Sequence, residues 1–434
     1  MDKMADVLGR AGAWCGQNKY LSAIKNAFQN FMPLTIAGAI GVLWCNVLVN
    51  DQTGLGLFFK PIMALDFLNP AFQAVNFCTI SCITVGITLG IAQEIGVWNM
   101  GAERAGYIPG LVGLAAWLSV TNTSHMVEGA KEAFTGIAGN ELGATGLFTG
   151  MIIGVLSVEL FCFFEKQDAL KIKMPEQVPP GVARAFEVLV PATLTLIITA
   201  CIGSACYNLT GLYLNDVIKN GIQGPLGAVG ATIPGVMIIY LVIMLFWLVG
   251  IHGNNMLSAV KEALFTPLAL ENVEKFNKGE KPTNIINMYF LQMCGEFGGS
   301  GVTIGLVIAI MIFGKREDNK AIASLSLVPG LFNINETVTF GIPMVLNPIL
   351  GIPFVFACLV TILVGYVLTV IGFCPVACLT VPWTTPPIVF GFLATGANVM
   401  GAVTQAILIV VSTVIYVPFL IAYEKYQNKQ AAEA

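Results

Sequence analysis

Four short polar clusters interrupt the second half of this chain, and their side chains are of the kinds that recognise a polyol. They are "WLVGIHGNN", with Trp247, His252, Asn254 and Asn255; "CGEFGGSG", with Glu296; "NINET", with Asn333, Asn335, Glu336 and Thr337; and "VPWTTPP", with Trp383, Thr384 and Thr385. A neutral sugar needs convergent hydrogen-bond donors and acceptors, and an aromatic plane for the apolar face of its ring. Carboxylate, imidazole, amide and indole together meet that need better than any single charged group. Glu336 stands out because it is the only charged residue between Lys320 and Glu424.

These clusters sit in a setting that makes them expensive. Of 434 residues, 56% are hydrophobic and 11% charged, against about 25% charged in an average soluble protein. The composition is that of an all-α polytopic membrane protein, with room for roughly ten apolar spans of about 20 residues. Windows free of charge, or with the single charge of Glu159 in the fourth, place spans near Phe31–Asn50, Val75–Gln93, Tyr107–Val120, Ala144–Phe164, Leu189–Tyr207 and Ala231–Ile251. Cytoplasmic loops collect Lys and Arg. An inside N-terminus puts Lys3, Arg10, Lys19, Lys25, Arg104, Lys166, Lys171, Lys173, Arg184, Lys261, Lys275, Lys278 and Lys281 inside, and only Lys60, Lys131 and Lys219 outside.

After Ile251 the regular pattern fails. The segment between Lys281 and Lys315 is too long for one span and too short for two, and its centre, "GEFGGSGVTIG", is rich in glycine where a reversal needs it. It reads as a re-entrant hairpin. Ala321–Leu350 repeats the behaviour, broken at "FNINETVTFGIP"; Ile352–Phe373 and Ala402–Ala422 read as ordinary spans, and the four prolines between them preclude one regular helix. Irregular backbone survives at membrane depth only where protein buries it or where it lines a wet cavity. The polar stretch "KQDALKIKMPEQVPPGVARAFE" therefore divides the chain into a scaffold with its linker, residues 1–186, and a region carrying the site, residues 187–434.

An ionisable residue at bilayer depth marks function by default, and Glu336 has no lysine or arginine in its own stretch to make it a structural pair. Plainer roles exist for the others. His252 could cap a helix end, Glu296 could hydrogen-bond its own glycine turn, and Trp247 and Trp383 could be interfacial belt residues. His125 reads as an ordinary loop histidine. The eleven cysteines, Cys15, Cys78, Cys201, Cys374 and Cys378 among them, are scattered through apolar spans without metal-ligand spacing and read as small core residues. No metal site, cofactor motif or nucleotide-binding motif is present, a net charge of -4 implies no nucleic-acid surface, and the N-terminus lacks the apolar core of a cleaved signal. Energy for transport must come from an ion gradient or a partner protein.

The elements "GIHGNN", "GEFGGSGVTIGL", "FNINETVTFGIPMVLNP" and "VPWTTPP…GFLATG", with the linker "IKMPEQVPPGVARAFEVLVP", together resemble the membrane (IIC) component of a sugar phosphotransferase system, in the lactose/cellobiose/chitobiose class. The resemblance covers essentially the whole chain. It implies about ten transmembrane helices plus two re-entrant hairpins in the C-terminal half, a homodimer in membrane lipid joined through the N-terminal halves, and a C-terminal half that carries a β-linked disaccharide across the bacterial cell membrane as a rigid body. It also implies phosphorylation of the sugar 6-hydroxyl by a phosphocysteine on a separate cytoplasmic IIB protein, itself recharged by IIA.

By the motif match, Glu336 would hydrogen-bond the acceptor hydroxyl with His252 beside it. Trp247 and Trp383 would pack on sugar rings, and Asn254, Glu296, Asn335 and Thr385 would complete the substrate site. Thr337 departs from the family, whose members often carry proline after the glutamate. The rival readings are a proton-coupled sugar symporter, with Glu336 and His252 as the relay, and a sugar sensor without transport. The lysines from Lys261 to Lys281 are a candidate docking surface for the IIB protein.

Overall fold

The computed structural model describes residues 10, 14, 17–51, 55–125, 134–175, 177–342 and 344–433. Lys3, Cys15 and Lys131, used above, lie outside the described residues. Among the described residues the protein is all-α apart from one two-stranded antiparallel ribbon, β1 (Ser124–His125) with β2 (Phe134–Thr135). His125 sits in that ribbon, with its Nε2 3.1 Å from the Asn122 carbonyl, as a loop histidine should. Among the described residues six helices are long and apolar enough to cross a membrane. A bent pair and two shorter apolar helices, Ile108–Val120 and Ile233–Leu248, add to them. The described chain divides by contact into two compact units, one from residues 17–38 and 74–227 and the other from residues 39–73 and 228–433.

In the first unit lie α1 (Lys19–Leu43, whose last turn belongs to the second), α2 (Ile83–Met100), α3 (Ile108–Val120), α4 (Leu147–Glu165) and α5 (Pro180–Thr210). Of these, α3 and α4 follow the apolar windows to within a few residues; α1 begins twelve residues before its window, α2 begins eight residues after the start of its own, and α5 begins in the linker, where Pro180 at its first position is pre-set for a helix. Ile83, Ile87, Ile91 and Ile95 recur every fourth residue on α2 and are all buried, which is the spacing of one helix face. Small residues let the backbones close: a side chain at Gly113 would collide with Ala92, and one at Gly150 with Thr84 and Thr88. Some polar groups inside these helices are satisfied locally, while Thr84 reaches the Gly143 carbonyl and Thr149 the Asn215 amide oxygen, each at 2.7 Å. Thr195 and Thr199 donate to the carbonyls of Pro191 and Thr195, each at 2.8 Å.

Charges in this unit gather at helix ends. Glu165 joins Arg104 at 2.8 Å and Arg184 at 3.0 Å, and both arginines also reach Glu187. In the linker, the hydrogen bond from Lys171 holds the Asp168 carboxyl below the usual carboxylate range.

The second unit contains α6 (Ile233–Leu248), α7 (Ser258–Asn277), α8 (Met288–Gly295), α9 (Ile304–Phe313), α10 (Glu317–Leu331), α11 (Glu336–Gly341), α12 (Gly351–Val370), α13 (Val389–Ala394) and α14 (Val399–Glu433). The expected breaks occur where expected. Helices α8 and α9 meet at a 59° bend, through a turn in which Gly298, Gly299 and Gly301 have φ of 67°, 88° and 75°. Only glycine adopts that conformation without strain. The second broken segment is less regular than two apolar arms. After the six-residue α11 the chain continues through turns to Leu350, with Leu346 at φ 54° donating its N–H to the Leu248 carbonyl at 2.8 Å.

Helix α14 packs against α9, α12 and α13 and supplies partners for the interrupted backbone. Gln405 accepts from the N–H groups of Ile388 and Gly391 and donates to the Met293 carbonyl. Tyr416 donates to the Gly301 carbonyl at 2.8 Å. The base of the first broken segment is latched by two asparagines: Asn272 and Asn287 each donate to the Ala377 carbonyl at 3.0 Å, and Asn287 caps α8 by accepting from Tyr289 and Phe290. Five cysteines, Cys162, Cys294, Cys358, Cys374 and Cys378, are core residues as expected, whereas Cys78 and Cys201 lie on the outer surface.

Candidate functional site

The four polar clusters are far apart in sequence and close together in the second unit. The hydrogen bonds that join them run mostly through asparagine. Asn333, in the left-handed region at φ 64°, accepts from the Gly298 N–H at 2.6 Å and donates to the carbonyls of Trp383 at 2.5 Å and Thr385 at 3.0 Å. Asn335 donates to the Ser300 carbonyl at 2.8 Å and to the Thr339 hydroxyl at 3.2 Å. Asn254 donates to the Ser300 hydroxyl at 2.9 Å. A side chain at Gly299 would strike that of Asn335. The tips of both broken segments are thus tied to each other, to "GIHGNN" and to "VPWTTPP". An unpaired backbone polar group at bilayer depth costs several kcal/mol, which is why amides occupy these positions.

His252 and Glu336 face one another in this cluster. His252 caps the short helix Gly253–Met256, its Nδ1 accepting from the Asn255 N–H at 3.2 Å, which leaves Nε2 as the outward nitrogen. Nε2 stands 3.9 Å from Glu336 Oε1, a separation too long for a direct hydrogen bond. The two side chains are 37% and 47% exposed, and among the described residues the Glu336 carboxylate accepts no protein hydrogen bond. The capping role of His252 and its place beside Glu336 are therefore compatible, since they use different nitrogens. Glu336 opens α11, where the helix N-terminus favours a carboxylate.

The two indoles differ. Trp383 is 45% exposed, whereas Trp247 is 2% exposed, its ring centroid 4.4 Å from that of His252 and 6.4 Å from that of Phe354. The buried Trp247 Nε1 hydrogen finds no partner among the described residues. Glu296 is neither a free carboxylate nor the side-chain cap of its own turn. It is paired with Lys261, and Tyr240 donates to its Oε1 at 2.7 Å.

Lys261 is the residue that sequence reasoning misplaced. Counted with the cytoplasmic lysines and their docking surface, it lies 6% exposed, bonded to Glu296 and to Asn254 Oδ1 at 3.0 Å. It is removed from any docking surface on that ground. One local signal was available: it stands seven residues after Asn254, on the same side of a helix two turns on. Glu296 could not be identified as its partner from sequence, being 35 positions away.

Comparison with known proteins agrees with this picture along the whole chain. The family model described as "Phosphotransferase system, EIIC" matches residues 25–358. The oligo-beta-mannoside-specific EIIC component of Bacillus subtilis (strain 168) is 33% identical, over 98% of this chain and 94% of that protein. A cellobiose-specific EIIC component of Lactococcus lactis subsp. lactis (strain IL1403) is 29% identical, over 98% of both. Among solved structures, the crystal structure of the transporter ChbC, the IIC component from the N,N'-diacetylchitobiose-specific phosphotransferase system, superposes with a TM-score of 0.88, 29% identity and 97% coverage of each chain. A multi-pass, all-α membrane protein whose sequence and fold match from end to end in this way belongs to the phosphotransferase system EIIC family.

Proposed function

We propose that this EIIC protein is a permease for a β-linked disaccharide of the cellobiose, chitobiose or lactose type, and that it presents the sugar 6-hydroxyl to a cytoplasmic IIB phosphocysteine. The relatives named above, specific for oligo-beta-mannoside, cellobiose and N,N'-diacetylchitobiose, support the substrate class. The observation that carries the site is the facing pair His252–Glu336, partly open, on a frame tied together by asparagine hydrogen bonds.

In this reading Glu336 accepts the hydrogen bond of the acceptor hydroxyl, with His252 Nε2 alongside. The hydroxyl oxygen attacks the phosphorus, the S–P bond of the phosphocysteine breaks towards sulfur, and the hydroxyl proton passes to the Glu336–His252 pair. The distance of 3.9 Å leaves room for an oxygen between the two groups. Trp383 offers an open indole face to a sugar ring and Trp247 backs His252, while Asn254, Glu296, Asn335 and Thr385 surround the remaining hydroxyls. Residues 187–434 move the site across the membrane in elevator fashion, residues 1–186 hold a homodimer in the lipid, and both termini lie in the cytoplasm. The first broken segment enters and returns on the cytoplasmic side.

The test uses vesicles bearing the protein, supplied with phosphoenolpyruvate, enzyme I, phosphocarrier protein, IIA and IIB. Formation of radiolabelled cellobiose 6-phosphate, lost in Glu336→Gln while sugar binding persists, is the expected result. Uptake of unmodified sugar that collapses with the proton gradient would make the protein a symporter and Glu336 a proton carrier.

A further inference from the structure

We infer that Lys261 is a positioning residue for the sugar site, one ammonium that fixes both the amide of Asn254 and the carboxylate of Glu296. The inference rests on the functional reading above, in which those two side chains contact the sugar. Lys261 projects from α7 into the second unit and is 6% exposed. Its Nζ donates to Asn254 Oδ1 at 3.0 Å and to Glu296 Oε1, and lies 5.6 Å from the centre of the fully buried Tyr240 ring.

An ammonium has three donors and no acceptor, so only the oxygen of an amide can face it. Lys261 therefore dictates which way round Asn254 sits. With Oδ1 on the ammonium, Nδ2 points to the Ser300 hydroxyl at 2.9 Å, and the Ser300 carbonyl in turn holds Asn335 at 2.8 Å. The chain of bonds runs from α7 through the glycine turn to the residue beside Glu336. On its other side, Lys261 and the Tyr240 hydroxyl both occupy Oε1 of Glu296, whose Oε2 receives no hydrogen bond among the described residues. The Glu296 side chain is 20% exposed, so this second oxygen is the one left for a sugar hydroxyl. A bare buried ammonium would be costly, and a bare Glu296 equally so. Paired, they leave Glu336 to carry the charge of the site.

Replacing Lys261 should loosen sugar recognition without touching the phosphoryl acceptor pair, because Lys261 bonds neither His252 nor Glu336. The measurement is steady-state phosphorylation in the reconstituted vesicles, with cellobiose, lactose and N,N'-diacetylchitobiose as probes. The variants are Lys261→Met, the charge-neutral Lys261→Met/Glu296→Gln, Asn254→Ala, and Lys261→Met/Asn254→Ala. Loss of one charge-assisted hydrogen bond at the substrate corresponds to about a tenfold change. The expected result is a KM raised about tenfold or more in both Lys261 variants, with kcat within about threefold of wild type. Asn254→Ala should then add little in the Lys261→Met background, since both changes remove the same oriented amide.

The neutral double variant covers the case in which Lys261→Met fails to fold around an uncompensated Glu296. An unchanged KM in folded variants, effects of Lys261→Met and Asn254→Ala that simply add, or a fall confined to kcat would overturn the positioning role while leaving the proposed function intact. A wild-type protein that phosphorylates none of the three sugars would overturn the proposed function itself, and this inference with it.

Discussion

The two compact units put the same small and polar residue types to partly different uses. In the first, glycine lets continuous helices approach, and threonine donates to a carbonyl one turn back in its own helix, as Thr195 does to Pro191. In the second, glycine takes the positive φ that breaks a helix at Gly298, Gly299 and Gly301, and asparagine crosses to another segment, as Asn333 does to Gly298, Trp383 and Thr385. A continuous helix satisfies its own backbone, so its polar side chains are redundant to the ladder. A broken one must recruit its partners from elsewhere. The cost of irregular backbone is thus met by long-range amide contacts, and the opening so created holds the facing His252–Glu336 pair.

This comparison can be broken most sharply at the site. Glu336→Gln should lower the phosphorylation rate by about a hundredfold or more, the ordinary range for a general base, with sugar binding measured by calorimetry nearly unchanged. If binding is lost as fully as phosphorylation, Glu336 is a binding group and not the acceptor's partner. Next in size is Asn333→Ala, which removes three inter-segment hydrogen bonds at about 1 kcal/mol each. Destabilisation by about 2–4 kcal/mol in detergent unfolding is expected, and Asn333→Gly, which keeps the left-handed backbone easy while losing the same bonds, should recover only the strain part.

A smaller effect is expected at Gly299→Ala, where φ of 88° and the Asn335 side chain both oppose a methyl group. A cost of about 1–3 kcal/mol, with impaired sugar binding, would fit; a neutral result would show that the turn relaxes freely. The smallest effect belongs to the first unit. Thr195→Val deletes a hydroxyl whose acceptor already belongs to a helical ladder, so the change in midpoint stability should stay below about 1 kcal/mol. A loss as large as that of Asn333→Ala would erase the distinction between the units.

Much of this was legible in the residues. Apolar windows locate α3, α4, α6, α12 and α14 closely and overlap α1, α2 and α5, because an apolar span needs nothing from the rest of the chain to announce itself. The glycine run before Val302 and the "NIN" sequence locate the breaks for the same local reason. What failed was partner assignment. Lys261 counts as one of the exposed docking lysines by position alone, and only its burial beside Glu296 removes it from that surface. Trp247 and Trp383 are equivalent as letters, yet one is covered by Phe354 and His252 and the other is open.

The sequence by itself determined that this chain lies in the membrane, where its helices run, where they break, and which side chains are too costly to be there without purpose. These are properties of composition and of local backbone freedom, and they act over a few residues. The tertiary structure alone decided which donor meets which acceptor: Asn254 with Lys261 and Ser300, Asn333 with two separate segments, His252 with Glu336. All but the Asn254–Lys261 pair span tens of positions, and a hydrogen bond depends on angstrom-scale placement that no local pattern encodes.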